Sequence, residues 1–190
     1  MTASDPLVHP ATADRWDDVM KVMGVKGDPA YCWCQYFRQT PQERRQANAA
    51  TNRDALQIQV RDEDPAPGVL AYIDEEPVGW CAVGPKQTYP RVLSSRVAGP
   101  DVDGIWSIVC FVVRVGWRRR GVGAALLQGV VDLARSQGAT TVEGYPVDPS
   151  ERRSVSSSDL YHGTLSLFLD AGFEEVSRSS PSRALVSLKI

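Results

Sequence analysis

The sequence predicts a mixed α/β (α+β) domain built on a single sheet, and three observations carry that prediction. Residues 105–115 hold Ile, Val and Phe at nearly every position without a helical period, the mark of a strand buried on both faces. A helix-patterned segment at 122–135 and another strand at 140–145 follow it, so 105–145 reads as a strand-helix-strand unit with a parallel pair. Ahead of it, apolar runs at 69–73 and 78–83 flank the turn Asp74-Glu75-Glu76-Pro77 and predict an antiparallel hairpin.

The elements follow in chain order. Trp16, Val19, Met20 and Met23 recur at helical spacing after Thr12, predicting a short amphipathic helix over 13–23 that Asp28-Pro29 breaks. An aromatic segment comes next, Tyr31-Cys32-Trp33-Cys34-Gln35-Tyr36-Phe37. Thr40-Pro41 is a helix start, and the polar stretch to about Arg61 has a weak apolar face, as a lid or surface helix would. Asp64-Pro65-Ala66-Pro67-Gly68 marks the turn into the hairpin. Residues 84–104 form a connection too long for a passive loop, with room for a short helix near 89–94. In the helix at 122–135 the apolar positions form a wide stripe, and Gly138 stands where a left-handed C-terminal residue is wanted. Residues 146–159 are rich in Ser, Pro and charge and read as a mobile loop. A short helix at 164–171 ends in Gly172-Phe173, and Val176 with 184–190 suggests two closing strands.

At 190 residues and 20.8 kDa the chain amounts to about one domain, 1–190, with a helical region over 1–64 and a core over 68–190. Hydrophobic content of 43% and charged content of 23% exclude a disordered or fibrous class. A net charge of -2 gives no global attraction to nucleic acid or anionic membranes, so any anion site is local. Residues 1–18 lack a signal-peptide pattern, and no run approaches the ~18 apolar residues of a membrane span. A cytoplasmic protein is expected, with Cys32, Cys34, Cys81 and Cys110 reduced.

The sharpest motif is Arg118-Arg119-Arg120-Gly121-Val122-Gly123-Ala124, with Arg114 just upstream, set between the buried strand and the following helix. Glycines let the turn bend and a ligand approach the backbone, the first helical N–H groups lack partners, and the helix dipole favours an anion. A solvated basic turn or a nucleic-acid patch is the plainer alternative, and no second stripe of basic and aromatic residues supports the latter. A Walker loop does not fit, for lack of Gly-Lys-Ser/Thr, and a Rossmann loop would need glycine where Leu126 stands.

Arg118-x-x-Gly121-x-Gly123, preceded by Phe111-Val112-Val113 and followed by Ala124-Ala125-Leu126-Leu127, resembles the acyl-CoA signature of the GNAT superfamily of N-acyltransferases. Leu167-Phe168-Leu169-Asp170-Ala171-Gly172-Phe173 resembles its second characteristic segment, and the likeness extends over roughly 68–190. The resemblance implies a mostly antiparallel central sheet flanked by helices, with a parallel strand pair splayed around an acyl-CoA site. It implies that N–H groups of Arg119, Arg120, Gly121, Val122, Gly123 and Ala124 hold the CoA pyrophosphate beside Arg118, and that backbone near Val113 and Val115 pairs with the pantetheine arm. The implied activity is transfer of an acetyl group from acetyl-CoA, without a metal, to a small-molecule or peptide amine by direct attack in a ternary complex. A homodimer is compatible with the superfamily; nucleic acid and membrane are not expected partners.

Many members of the superfamily place a Tyr general acid one turn before Gly-Phe, where this chain has Phe168. Tyr145 and Tyr161 are the remaining candidate phenols; their plainer readings are a strand-end aromatic and a loop residue. Glu143 is the candidate base or amine-docking carboxylate, on one strand face with Tyr145, and its plainer reading is a solvated edge-strand charge. Cys32-Trp33-Cys34 admits metal ligation, redox chemistry or packing; a zinc site would have only His9 and His162 to add, with no second paired cluster. The element also resembles a bacterial GNAT subgroup in which this region builds part of the acceptor pocket, with Trp33, Tyr36 and Trp106 as candidate acceptor-binding residues. Cys81 and Cys110 read as core. The alternative to an enzyme is an acyl-CoA-binding or sensing module of the same fold, for which Phe168 speaks.

Overall fold

The computed structural model describes residues 4–97, 99 and 103–190. The chain runs β1 (Leu7–Pro10), α1 (Trp16–Met23), α2 (Gly27–Cys32), α3 (Pro41–Gln46), α4 (Ala49–Asp62), β2 (Gly68–Ile73) and β3 (Glu76–Pro85). It continues α5 (Pro90–Leu93), β4 (Ile105–Val113), α6 (Val122–Ser136), β5 (Thr141–Gly144), α7 (Ser157–Leu160), α8 (Leu165–Asp170), β6 (Glu174–Ser180) and β7 (Arg183–Lys189). The strands form one sheet in the order β1-β2-β3-β4-β5-β7-β6, antiparallel at every pairing except β4 with β5. This is the mixed sheet that the sequence predicts.

β4 is apolar throughout because both faces of the sheet are covered. On one face Val122, Leu126, Leu127, Val130 and Val131 of α6 join Phe168 of α8 and Phe173 over Trp106, Ile108 and Phe111. On the other, Val19 and Met23 of α1, Leu56 and Val60 of α4, and Val92 of α5 pack on Leu70, Trp80, Val109 and Val112. The cap of α6 is as expected, with Gly138 at φ +75°.

β1 is an element that the sequence did not announce. Four residues ending in Pro10 carry no strand pattern, and the strand exists because it pairs with β2 and lies on α6. Gly129 makes that possible: a Cβ there would fall 2.3 Å from Val8. Helix expectations need three corrections. Gly24, at φ +71°, ends α1, and Asp28-Pro29 lies in the first turn of α2 instead of breaking a helix. The polar stretch from Pro41 is two helices, because Ala47 and Asn48 are extended and the Asn48 side chain accepts from the N–H groups of Ala50 and Thr51 to start α4. α4 is also no lid, since it buries Asn52, Leu56 and Val60. Finally, the stretch 146–159 is pinned: Val147 is fully buried and bridges both Thr164 and Arg183, and α7 follows.

Candidate functional site

The site begins where the parallel pair parts. β4 and β5 are in register only from Ile105↔Thr141 to Ile108↔Gly144; β5 ends there and β4 continues to Val113. Beyond Ile108 one edge of β4 has therefore lost its neighbour. The Arg114 N–H bonds Val78 of β3, and the Phe111 N–H bonds the Tyr161 carbonyl at 2.6 Å on the opposite edge. Strand alternation then directs the Val113 N–H and carbonyl to the open edge, where that carbonyl accepts from Arg118 Nε at 3.4 Å. Val115 lies two residues past the strand and is exposed.

The anion-binding turn follows. Arg119 and Gly121 both take left-handed backbone, φ +59° and +76°, which turns the chain onto the N-terminus of α6. A Cβ on Gly121 would meet nothing within 4 Å, so the space in front of the turn is open. The first i→i−4 bond of α6 is that of the Ala125 N–H to Gly121, so the N–H groups of Val122, Gly123 and Ala124 precede the helical ladder and have no intrahelical acceptor. Arg118, Arg119, Arg120, Gly121 and Ala124 are exposed. Free donors, a helix N-terminus and three flanking guanidinium groups fit a pyrophosphate. Arg114 is not part of it, being tied to the Glu76 carboxylate and the Pro77 carbonyl.

Beside the open edge, on the face carrying α1 to α5, lies a cavity of about 420 Å³. β4 reaches it through a register shift opposite Ala82/Val83, which brings Val109 and Cys110 together at its wall with Val112. Cys32, Cys34, Tyr36 and Phe37 contribute another wall, and Tyr161 and His162 close it from the loop before α8. Tyr36 and Tyr161 thus stand where the sequence expects site residues. The Tyr161 phenol is raised by burial and then by the Asp28 charge, with Arg118 acting in the opposite sense; it therefore stays protonated at neutral pH between the turn and the cavity.

The other expected residues stand elsewhere. Glu143 is buried rather than solvated and pairs with Lys86 Nζ at 2.9 Å. Tyr145 donates to Glu143 Oε2 at 3.1 Å, shares a 2.8 Å hydrogen bond with Ser107, and is pushed far up by burial. Neither lines the cavity. Trp33 is buried against Trp16 and donates to the Ala30 carbonyl, because its left-handed backbone turns the indole inward. Trp106 is in the core under α6, on the opposite face of the sheet. Phe168 is fully buried, edge-on to Phe111 and Phe173 and tight against Gly144.

All four cysteines are free thiols, and no group of three or more His, Cys, Asp or Glu among the described residues could hold a metal. A hydrogen bond with Cys110, then burial, pushes the Cys34 thiol well up, and burial raises Cys32. Protonated thiols favour the packing reading of Cys32-Trp33-Cys34 over thiolate chemistry.

His162 is the residue that sequence reading passed over as a functional group. It lines the cavity, meets Phe37 edge-on at 5.5 Å, and its buried Nδ1 has no hydrogen-bond partner among the described residues. Burial, and secondarily Arg183, lowers its pKa to about 4, so the imidazole is neutral. No spacing motif flags it; the contact with Phe37 arises only in the fold.

Residues 31–156 match the sequence profile of the family described as the acetyltransferase (GNAT) family. Agmatine N-acetyltransferase, in an apo mutant structure, superposes with TM-score 0.59 at 14% identity, covering 98% of this chain and 100% of the other. PaiA N-acetyltransferase from Thermoplasma acidophilum, solved with coenzyme A, gives TM-score 0.57 at 10% identity over 98% and 100%. The GNAT domain of S. lividans PAT gives 0.57 at 17% over 96% and 89%. At these identities the likeness establishes the fold. Comparison with curated protein sequences finds no match.

Proposed function

Because the chain belongs to the GNAT family of acetyltransferases, we propose that it transfers an acetyl group from acetyl-CoA to a primary amine seated in the cavity beside β4. The observation that carries this reading is the junction of an open anion-binding turn, the open edge of β4 and an aromatic cavity at a single place in the sheet. A neighbour of the same fold solved with coenzyme A supports the donor, and a neighbour named for agmatine supports an amine acceptor.

Acetyl-CoA supplies the activated acetyl group as a thioester. The N–H groups of residues 119–124, with Arg118, hold its pyrophosphate, and the backbone at Val113 and Val115 aligns its arm along β4. As the amine nitrogen bonds the acetyl carbon and the C–S bond breaks, Tyr161 gives its phenolic proton to the departing thiolate. Neutral His162, at the cavity wall, takes the proton that the amine loses. In this reading the proton-handling role expected of Glu143 passes to His162, while Glu143, Tyr145, Ser107 and Lys86 hold the base of β5 in place. The Cys-Trp-Cys element serves as a wall: Cys32 and Cys34 face the cavity and Trp33 anchors them from behind.

Phe168 favours one second reading, a binding module without turnover, since it offers no acid where many relatives carry a tyrosine. A thiol-release assay with acetyl-CoA and an amine panel separates the two. Turnover that falls in Tyr161→Phe supports the transferase, and acetyl-CoA binding without turnover on any amine supports the module.

A further inference from the structure

Two charges at the cavity are unused by this chemistry. Asp28 of α2 and Arg44 of α3 both line it, and among the described residues neither belongs to an ion pair. They act on different parts of the wall. Asp28 lines the same cavity as Tyr161 and His162, and its charge acts on the Tyr161 phenol. Arg44 acts on the Cys32 thiol and lies over the Tyr36 ring, its guanidinium carbon 4.3 Å from the ring centroid.

The Arg44 side is electropositive beyond one residue. Arg91 also lies over Tyr36, at 4.2 Å, and donates to its hydroxyl at 3.0 Å, while its buried Nε has no hydrogen-bond partner among the described residues. No carboxylate among the described residues pairs with either guanidinium. Arg44 at the cavity wall, with Arg91 on the same ring but outside the cavity lining, suits an anionic group on the ligand. It opposes a second ammonium there. Between the charges the walls are aromatic, aliphatic and thiol, and about 420 Å³ suits an occupant of small-molecule size.

We propose that the acceptor is a free amino acid with an apolar side chain, its amine held by Asp28 beside Tyr161 and His162 and its carboxylate held by Arg44. The assignment rests on the acetyltransferase reading and narrows it. Polyamines, which would place a cation against Arg44, are excluded; simple apolar amines, which leave Arg44 uncompensated, are poor acceptors.

The test is thiol release with acetyl-CoA and purified protein across phenylalanine, leucine and methionine, their decarboxylated amines, agmatine and spermidine, with acetyl-CoA binding measured on the same sample. At least one amino acid is expected to exceed its decarboxylated counterpart about tenfold in kcat/KM, roughly the 1.4 kcal/mol of one charge-assisted contact. Arg44→Gln is expected to narrow that preference below threefold, mainly through KM. Preference for a polyamine or a decarboxylated amine, a preference untouched by Arg44→Gln, or no turnover of any amino acid while another amine of the panel is acetylated would each overturn the inference; acetyl-CoA binding without turnover of any amine would overturn the transferase reading beneath it. Loss of acetyl-CoA binding by the wild type would overturn that reading as well.

Discussion

At His162 burial couples the fold to pH. Its pKa is held near 4 rather than 6.5, so between those values the unfolded chain binds a proton that the folded chain refuses. Stability from this residue is therefore full above about pH 6.5 and is lost as pH falls toward 4, by up to about 3 kcal/mol. His162→Asn removes the effect: its melting temperature is expected to fall less between about pH 6.5 and 4.5 than that of the wild type, and parallel curves would contradict it. The same variant is expected to lower kcat about 100-fold or more; a wild-type kcat would move the proton acceptor elsewhere. Glu143→Gln should behave in the opposite way. It leaves the buried Lys86 without its carboxylate and is expected to destabilise the fold by about 3 kcal/mol in a denaturant titration. The shape of its pH–rate profile is expected to match the wild type, and a changed alkaline limb would return the base to Glu143.

At the scale of elements, the parting of β4 from β5 and the left-handed turn before α6 do most to create the site. Gly144 closes β5 because Phe168 lies on it; a Cβ there would fall 2.3 Å from the ring. Gly144→Ala is thus expected to destabilise the protein by about 1–3 kcal/mol through overpacking, seen as a lower denaturant midpoint, and an unchanged midpoint would mean that Phe168 has room to move. The strand-helix-strand unit, the hairpin and the turn were legible because each rests on local pattern: an unbroken apolar run, paired turns, a Gly/Arg motif at a helix start. β1 was not, since its four residues become a strand only by pairing with β2 and resting on Gly129. The division of 41–61 was missed because Asn48, a strong cap, stood inside a polar stretch with no apolar register to interrupt.

For the whole molecule, the mixed sheet with its parallel pair and the core under α6 followed from the sequence, whereas the part that α4 plays in the second core and the cavity did not. The Arg/Gly turn before α6 is contiguous in the chain and so could be read directly as a candidate anion site. The cavity is assembled from α2, the segment after it, α3, β4 and the loop before α8, and no single stretch contains its pattern. Tyr36 and Tyr161 were nominated by type and place, and both line the cavity. Trp33 and Trp106 failed because an aromatic residue near a site is as readily core as wall, and Glu143 because a lone carboxylate in a strand does not reveal the buried Lys86 opposite it.

Calorimetric titration of acetyl-CoA into the wild type and into Gly121→Val tests the central assignment most directly. Valine must adopt left-handed backbone and fill the open space before the α6 N-terminus, so it removes the cradle while lying outside both cores. Micromolar binding by the wild type, weakened at least tenfold or about 1.4 kcal/mol in a variant with an unchanged circular dichroism spectrum, is the expected result. Equal affinity in the two proteins would place the pyrophosphate elsewhere, and no binding by the wild type would contradict an acetyl-CoA-dependent function altogether.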